Sequence, residues 1–290
     1  MIKKLFSLFA ILFAFTACAN SSQDNKTNID MEEETKTATP APDRLVEIET
    51  TAGNIVVKLF GDTPKHQENF LKLVKEGTYN GTLFHRVIDK FMIQAGDPES
   101  KNAQPGQMLG SGDVGYTIDA EIVYPKHFHH RGALAAARQG DQVNPKRASS
   151  GCQFYIVTGN VVDDRMLEQM ANAQLYSQKE TEFRRLADEH MDSIRGMQLA
   201  GDQQGLMKLQ QELVAKVEEK FKDAPAPQLP EELKAKYKEM GGAPHLDGQY
   251  TVFGEVVKGM DVVEKIEQAQ TDRNDRPVED IRIISMKVLD

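Results

Sequence analysis

Six apolar runs of strand length, not helix length, recur along this chain with turn residues between them: residues 45–49, 55–59, 132–137, 153–157, 250–257 and 281–289. A chain built this way has to pair its strands into a sheet, and many short strands joined by turns predict a closed antiparallel barrel. Leu45-Val46-Glu47-Ile48-Glu49 and Ile55-Val56-Val57-Lys58-Leu59 flank Thr51-Ala52-Gly53, the arrangement of a β-hairpin. Thr63-Pro64 opens a helix with proline in its first turn, and Gly77 closes it. Phe70, Leu71 and Val74 share one face of that helix and can cover one end of the sheet. A second short helix is expected near Asp261–Gln268, just before the last strand.

Residues 160–243 interrupt the strand pattern. Phe183, Leu186, Met191, Ile194 and Met197 recur at near-helical spacing, and Leu206, Leu209, Leu213 and Val217 do so strictly. With Gly201-Asp202 between the two sets, the segment reads as an antiparallel helical hairpin. Ala224-Pro225-Ala226-Pro227 is a stiff linker, and Pro230-Glu231-Glu232 starts a further helix ending at Gly241-Gly242. Such a stripe either packs on its own barrel and on itself, or forms an arm for non-native chains on which Met191 and Met197 give an adaptable surface.

Two blocks set polar side chains among apolar ones. The first is Phe84-His85-Arg86-Val87-Ile88-Asp89-Lys90-Phe91-Met92-Ile93-Gln94-Ala95-Gly96-Asp97, expected as strand, and the second is Ser150-Gly151-Cys152-Gln153-Phe154-Tyr155-Ile156-Val157. Together they resemble the active-site strands of cyclophilins, the peptidyl-prolyl cis-trans isomerases. The resemblance covers residues 44–158 and 244–290 and includes Asn69-Phe70, the lead-in from Tyr79 to Leu83, and the closing run Asp247–Glu255. It implies a mainly β fold, an eight-stranded antiparallel barrel capped by two helices, here with the α-helical hairpin inserted.

The resemblance also assigns roles. Arg86 matches the catalytic arginine that stabilises the twisted X-Pro amide. Phe91, Met92, Tyr155 and Leu246 match the walls of the proline pocket, and Gln94 the glutamine that orients the arginine and the substrate backbone. Ala137, Arg138 and Gln153 match the strand that bonds the residues before proline, and His245 and Tyr250 match rim positions. His245 stands where many cyclophilins have tryptophan, a residue absent from this chain. Tyr155 replaces the usual phenylalanine and is expected to add a hydroxyl to the pocket. Arg138 replaces an asparagine, so its side chain is expected to redirect specificity. No cofactor is implied. The rival function is a holdase that binds proline-containing or unfolded chains through the groove and helices without turnover.

Lys3 and Lys4 precede an apolar stretch from Leu5 to Phe15, and Thr16-Ala17-Cys18 follows. This resembles a bacterial lipoprotein signal (residues 1–17) with lipid attached at Cys18; the alternative is a secretory signal with a chance cysteine. Residues 18–43 are polar and without hydrophobic period, a disordered tether, and residues 44–290 form the isomerase domain with its insertion. The expected protein is a lipid-anchored monomer of the cell envelope acting on proline-containing polypeptides. A net charge of −9 argues against nucleic-acid binding. With Cys18 acylated, Cys152 is the one remaining thiol, expected as a packed barrel residue rather than a nucleophile. His127, His129 and His130 have a spacing that could hold a metal, but no partner cluster at a recognised spacing accompanies them, and none is assigned.

Overall fold

The computed structural model describes residues 41–225 and 228–289. The leader segment, Cys18 and the tether as far as residue 40 therefore lie outside the described residues, as do Ala226 and Pro227 of the linker. The tether was expected to run to residue 43, but residues 41–43 are already docked. Ala41 N donates to Gly61 O (3.1 Å), Gly61 N donates to Asp43 Oδ1 (2.9 Å), and Gln67 Nε2 donates to Pro42 O (3.0 Å).

Strands β1 (Arg44–Thr50) and β2 (Gly53–Leu59) form the expected hairpin. Their alternate residues Val46, Ile48, Ile55, Val57 and Leu59 are fully buried, as period-two patterning against a core requires. Further along come β3 (Arg86–Ile88), β4 (Met92–Ala95), β6 (Ala133–Ala136), β8 (Phe154–Val157), β9 (Val252–Lys258) and β10 (Ile283–Leu289). All eight strands join one antiparallel sheet in the order β10-β1-β2-β9-β6-β8-β4-β3. A second ladder pairs the two-residue strands β5 (Thr117–Ile118) and β7 (Ser149–Ser150). The curled sheet has β3 and β10 at its ends. Its seam is closed ahead of β3, where Gly81 N donates to Ile283 O (2.8 Å), Ile283 N to Thr82 O (2.8 Å) and Phe84 N to Ile281 O (2.9 Å).

Helices α1 (Pro64–Lys75) and α6 (Met260–Glu267) send Phe70, Leu71, Val74, Val263 and Ile266 into the main core. Thr63 does not cap α1 with its side chain. The Glu121 carboxylate does so from a distant loop, accepting from Lys65 N (3.1 Å) and His66 N (3.0 Å).

The insertion leaves β8 and returns to β9 as α2 (Asp164–Glu189), α3 (Met191–Ala200), α4 (Gln203–Lys220) and α5 (Glu231–Met240). Phe183, Leu186, Ile194, Leu206, Leu209, Leu213 and Val217 are buried, so most of the apolar stripe closes on itself, whereas Met191 is exposed and Met197 half-buried. Helix α2 is longer than its periodic residues suggest. Its first turns bury Leu167 in a separate cluster with Phe128, Val162, Leu233 and Tyr237 at the barrel's edge.

Candidate active site

The run 84–97 is not one strand. Asp89 and Lys90 fold it into a hairpin, with Lys90 at φ 58° and its amide donating to Glu267 Oε1 (2.8 Å). The antiparallel register sets Arg86 directly opposite Gln94, so both side chains emerge on one face. Gln94 in turn pairs with Tyr155 of β8. This backbone arrangement lines a cavity of about 470 Å³ with Arg86, Gln94, Phe91, Met92, Tyr155 and Leu246. Ala137, Arg138 and Tyr250 also reach it.

Arg86 is the exposed cation of the cavity. Its side chain is 44% accessible, and its contact among the described residues is an ion pair with Asp275, Nε to Oδ2 at 3.5 Å, itself 45% accessible. An exposed pair of that length contributes at most about 1 kcal/mol, so the guanidinium can exchange it for another acceptor. Phe91 and Met92 face it as apolar wall, and Tyr155 is all but buried.

Several expected roles change in the folded protein. Gln94 Nε2 donates to Gln153 Oε1 (3.0 Å), not to a group bound by Arg86, and Gln153 Nε2 donates to Gly110 O (3.0 Å) and Gly112 O (2.8 Å). Gln153 thus stands behind the cavity, fixing Gln94 and the 110–112 loop. The Arg138 side chain is 3% accessible and tied to its neighbours. It pairs with Asp141 (2.6 Å), donates from Nε to Gln249 O (2.8 Å) and stacks over Tyr250 at 4.4 Å. Its Nε and Nη1 are thereby held at the cavity's edge. His245 lies outside the cavity lining, on the rim, its ring 5.4 Å from that of Phe91. The Tyr155 hydroxyl does not enter the pocket as a spare polar group. It is bonded to His129 Nε2 (3.1 Å), and burial raises its pKa well above the ordinary phenol value.

His85, Gly110, Asp275 and Arg276 line the same cavity without having been singled out as site residues. His85 was in view, since it adjoins Arg86 in sequence, but a strand position alone does not say that its ring lies beside the groove. It is 4% accessible, neither ring nitrogen has a hydrogen-bond partner among the described residues, and burial pushes its pKa down to about 4. The imidazole is therefore neutral at neutral pH, beside the cations Arg86 and Arg276, of which Arg86 is the exposed one.

The histidine run Lys126–His130 is divided among separate carboxylates. His127 bonds Asp62 (2.7 Å), His129 bonds Asp247 (2.9 Å), and His130 faces Glu255 (3.5 Å). Asp247 is the centre of a buried chain, for its other oxygen accepts from Tyr237 Oη of α5 (2.7 Å). Cys152 is buried and its thiol is pushed up to about 11, chiefly by that burial, which fits a packed residue. Ser149, His66 and Glu121 have hydrolase-like spacings, 2.9 Å from Ser149 Oγ to His66 Nε2 and 2.7 Å from His66 Nδ1 to Glu121. Ser149 is 1% accessible, so no substrate carbonyl reaches Oγ, and the trio serves to fix the start of α1.

The structure thus presents a cleft with apolar walls and one exposed guanidinium, set in an eight-stranded curled sheet with two helices packed on it. The chain matches the sequence pattern of the cyclophilin type peptidyl-prolyl cis-trans isomerase/CLD family over residues 45–218 and 237–288, and it belongs to that family of isomerases. A peptidyl-prolyl cis-trans isomerase homologue of Staphylococcus saprophyticus is 29% identical over 242 residues, 83% of this chain and 89% of that protein. A Streptococcus pyogenes protein named as a bifunctional phosphatase/peptidyl-prolyl cis-trans isomerase is 31% identical, over 84% of this chain but 38% of its own length. Among solved structures, a Cryptosporidium parvum cyclophilin-type isomerase superposes with a TM-score of 0.50 at 21% identity, covering 86% of this chain and 99% of that one.

Proposed function

We propose that this protein isomerises X-Pro bonds in exported or envelope polypeptides, with Arg86 as the catalytic group. The observation that carries the reading is an exposed guanidinium, weakly paired, across a cavity from the apolar wall of Phe91, Met92, Tyr155 and Leu246.

The chemistry needs little more. The barrier to rotating a peptide bond is about 20 kcal/mol because conjugation is lost, and uncatalysed X-Pro exchange takes tens of seconds. No covalent bond breaks, so the catalyst has to bind the twisted amide better than either planar form. In the twisted amide the proline nitrogen regains a lone pair, and a guanidinium aimed at that nitrogen is favoured in the transition state alone. A charge-assisted hydrogen bond worth about 3 kcal/mol there accelerates exchange roughly a hundredfold. The proline ring fills the apolar cavity, and the peptide before it runs along Ala137. Lipid anchoring through Cys18 agrees with Lys3, Lys4 and the short apolar stretch that precede it, and the polar residues after it give the barrel reach from a membrane surface.

The test is protease-coupled isomerisation of an X-Pro tetrapeptide by the wild type, Arg86→Ala and Arg86→Lys. Wild-type acceleration that falls about a hundredfold in Arg86→Ala, with an unchanged circular dichroism spectrum, is expected. Arg86→Lys retains the charge but not the planar fork and should recover only part of the rate. A wild type that binds the peptide but accelerates nothing replaces the isomerase by a prolyl-binding holdase.

A further inference from the structure

A second cavity, of about 390 Å³, lies between α2 and the segment that returns from α5 to β9. Leu167, Met170, Ala171 and Leu229 supply its apolar lining, and Gln174 and Gln249 lie in its wall. A single stretch of backbone, residues 244–250, separates it from the proline cavity. Leu246 and Tyr250 line the proline cavity, whereas Pro244, His245, Asp247 and Gln249 line the second one.

That dividing ridge is held rigidly. Leu246 N donates to Ala243 O (3.0 Å), Gln249 Nε2 to His245 O (2.7 Å), and Arg138 Nε to Gln249 O (2.8 Å). Asp247 is bound by Tyr237 from the insertion side and by His129 from the barrel side. His245 sits on the crest, facing the second cavity while its ring lies against Phe91 of the first. The two cavities are therefore one interrupted groove.

We infer that the insertion builds a second subsite for the same polypeptide substrate, one that takes an apolar side chain about three residues after the proline, the number that an extended chain rising ~3.3 Å per residue needs to pass one packed backbone segment on the order of 10 Å thick. This rests on the reading of the first cavity as the proline pocket. With the residues before proline beside Ala137, the chain that follows proline leaves past Phe91 and crosses His245. The lining favours leucine, methionine or phenylalanine, since apolar atoms of Leu167 and Met170 meet the entering side chain. The substrate class is thus an extended, locally unfolded segment with an apolar residue downstream of proline, not an isolated turn.

The experiment compares three fluorescent peptides on the whole protein: an X-Pro tetrapeptide, the same core extended with leucine at the third position after proline, and the extension with glycine there. Both anisotropy and isomerisation are read. The leucine peptide is expected to bind about tenfold tighter than its glycine counterpart, the gain of burying one aliphatic side chain. Gln174→Trp, which fills the cavity from an exposed helix position, and Met170→Glu, which charges its lining, should both bring that ratio to one. A ratio of one in the wild type, or a tenfold ratio that survives both variants, overturns the subsite. Equal gain when leucine is moved to the third position before proline overturns the assigned direction. Failure of the proline-pocket reading looks different: the tetrapeptide itself is then not isomerised, and the binding ratio still decides the subsite.

Discussion

His85 gives the protein a pH dependence with a sign that can be worked out beforehand. Its ring is 4% accessible and unpartnered, and burial pushes its pKa down to about 4 from an ordinary 6.5. Between those two values the unfolded chain binds a proton that the native state refuses. Stability therefore falls as pH drops from 6.5 to 4 and is flat on either side with respect to this group. The full effect is about 3 kcal/mol, of which about 2 kcal/mol is lost between pH 7 and pH 5. Other groups titrate in the same range, so the measurement is a difference: urea unfolding at pH 7 and pH 5 for the wild type and for His85→Gln, which keeps the size and cannot take the proton. The wild type should lose about 2 kcal/mol more than the variant, a relative midpoint shift of roughly 1 M urea at a slope of 2 kcal/mol per M. Equal losses in the two proteins would mean that the imidazole finds a partner or water in solution, and the account of His85 as a neutral, dry neighbour of Arg86 would fail.

Two substitutions test the frame around the site. Gly96 follows β4 at φ 94°, and a Cβ there would lie 2.3 Å from the carbonyl oxygen of Cys152. Gly96→Ala should cost about 3 kcal/mol or more in thermal or urea unfolding, since backbone and not a movable side chain is in the way; a loss below 1 kcal/mol would show that the two strands separate easily. Arg131 joins the barrel to α6 through Glu267 (2.8 Å) and Glu264 (3.2 Å), and the Glu267 side chain is 5% accessible. Arg131→Met should destabilise by about 3 kcal/mol, because the buried carboxylate is left without its cation, and Glu267→Gln in the same protein should restore at least half. No rescue would place the loss in packing instead of charge.

The barrel was legible because β1 and β2 alternate, as Val46, Ile48 and Ile55, Val57 do, because β6 and β8 are short apolar runs buried throughout, and because Pro64 and Gly77 bracket α1. Helix α2 was half hidden for a physical reason. Leu167 and Ala171 face the barrel's edge while Phe183 and Leu186 face α4, so no one stripe runs along its 26 residues. The hairpin within residues 84–97 was also missed, since its turn consists of Asp89, Lys90 and Phe91, without the glycine that usually marks such a turn. At the site, sequence position identified the cavity walls, but it could not tell where long polar side chains end. Arg138 and Gln94 each had a nearer partner, Asp141 and Gln153, than the one first expected for them.

The departures from the usual cyclophilin pattern are connected to one another. A tyrosine in the wall of the first cavity brings a hydroxyl among apolar neighbours, where leaving it unbonded costs about 1–3 kcal/mol. Here that hydroxyl meets His129, whose other nitrogen meets Asp247, whose second oxygen meets Tyr237 on the last helix of the insertion. Each member is mostly buried, so each requires the next. The inserted helices therefore reach the pocket wall through three hydrogen bonds in series, and the residue at Tyr155 makes sense only with the insertion present. The same Asp247 braces the ridge that divides the two cavities. Wall, ridge and insertion form one polar unit, and for that reason removing residues 160–243 should disturb the first cavity itself and not merely trim an appendage.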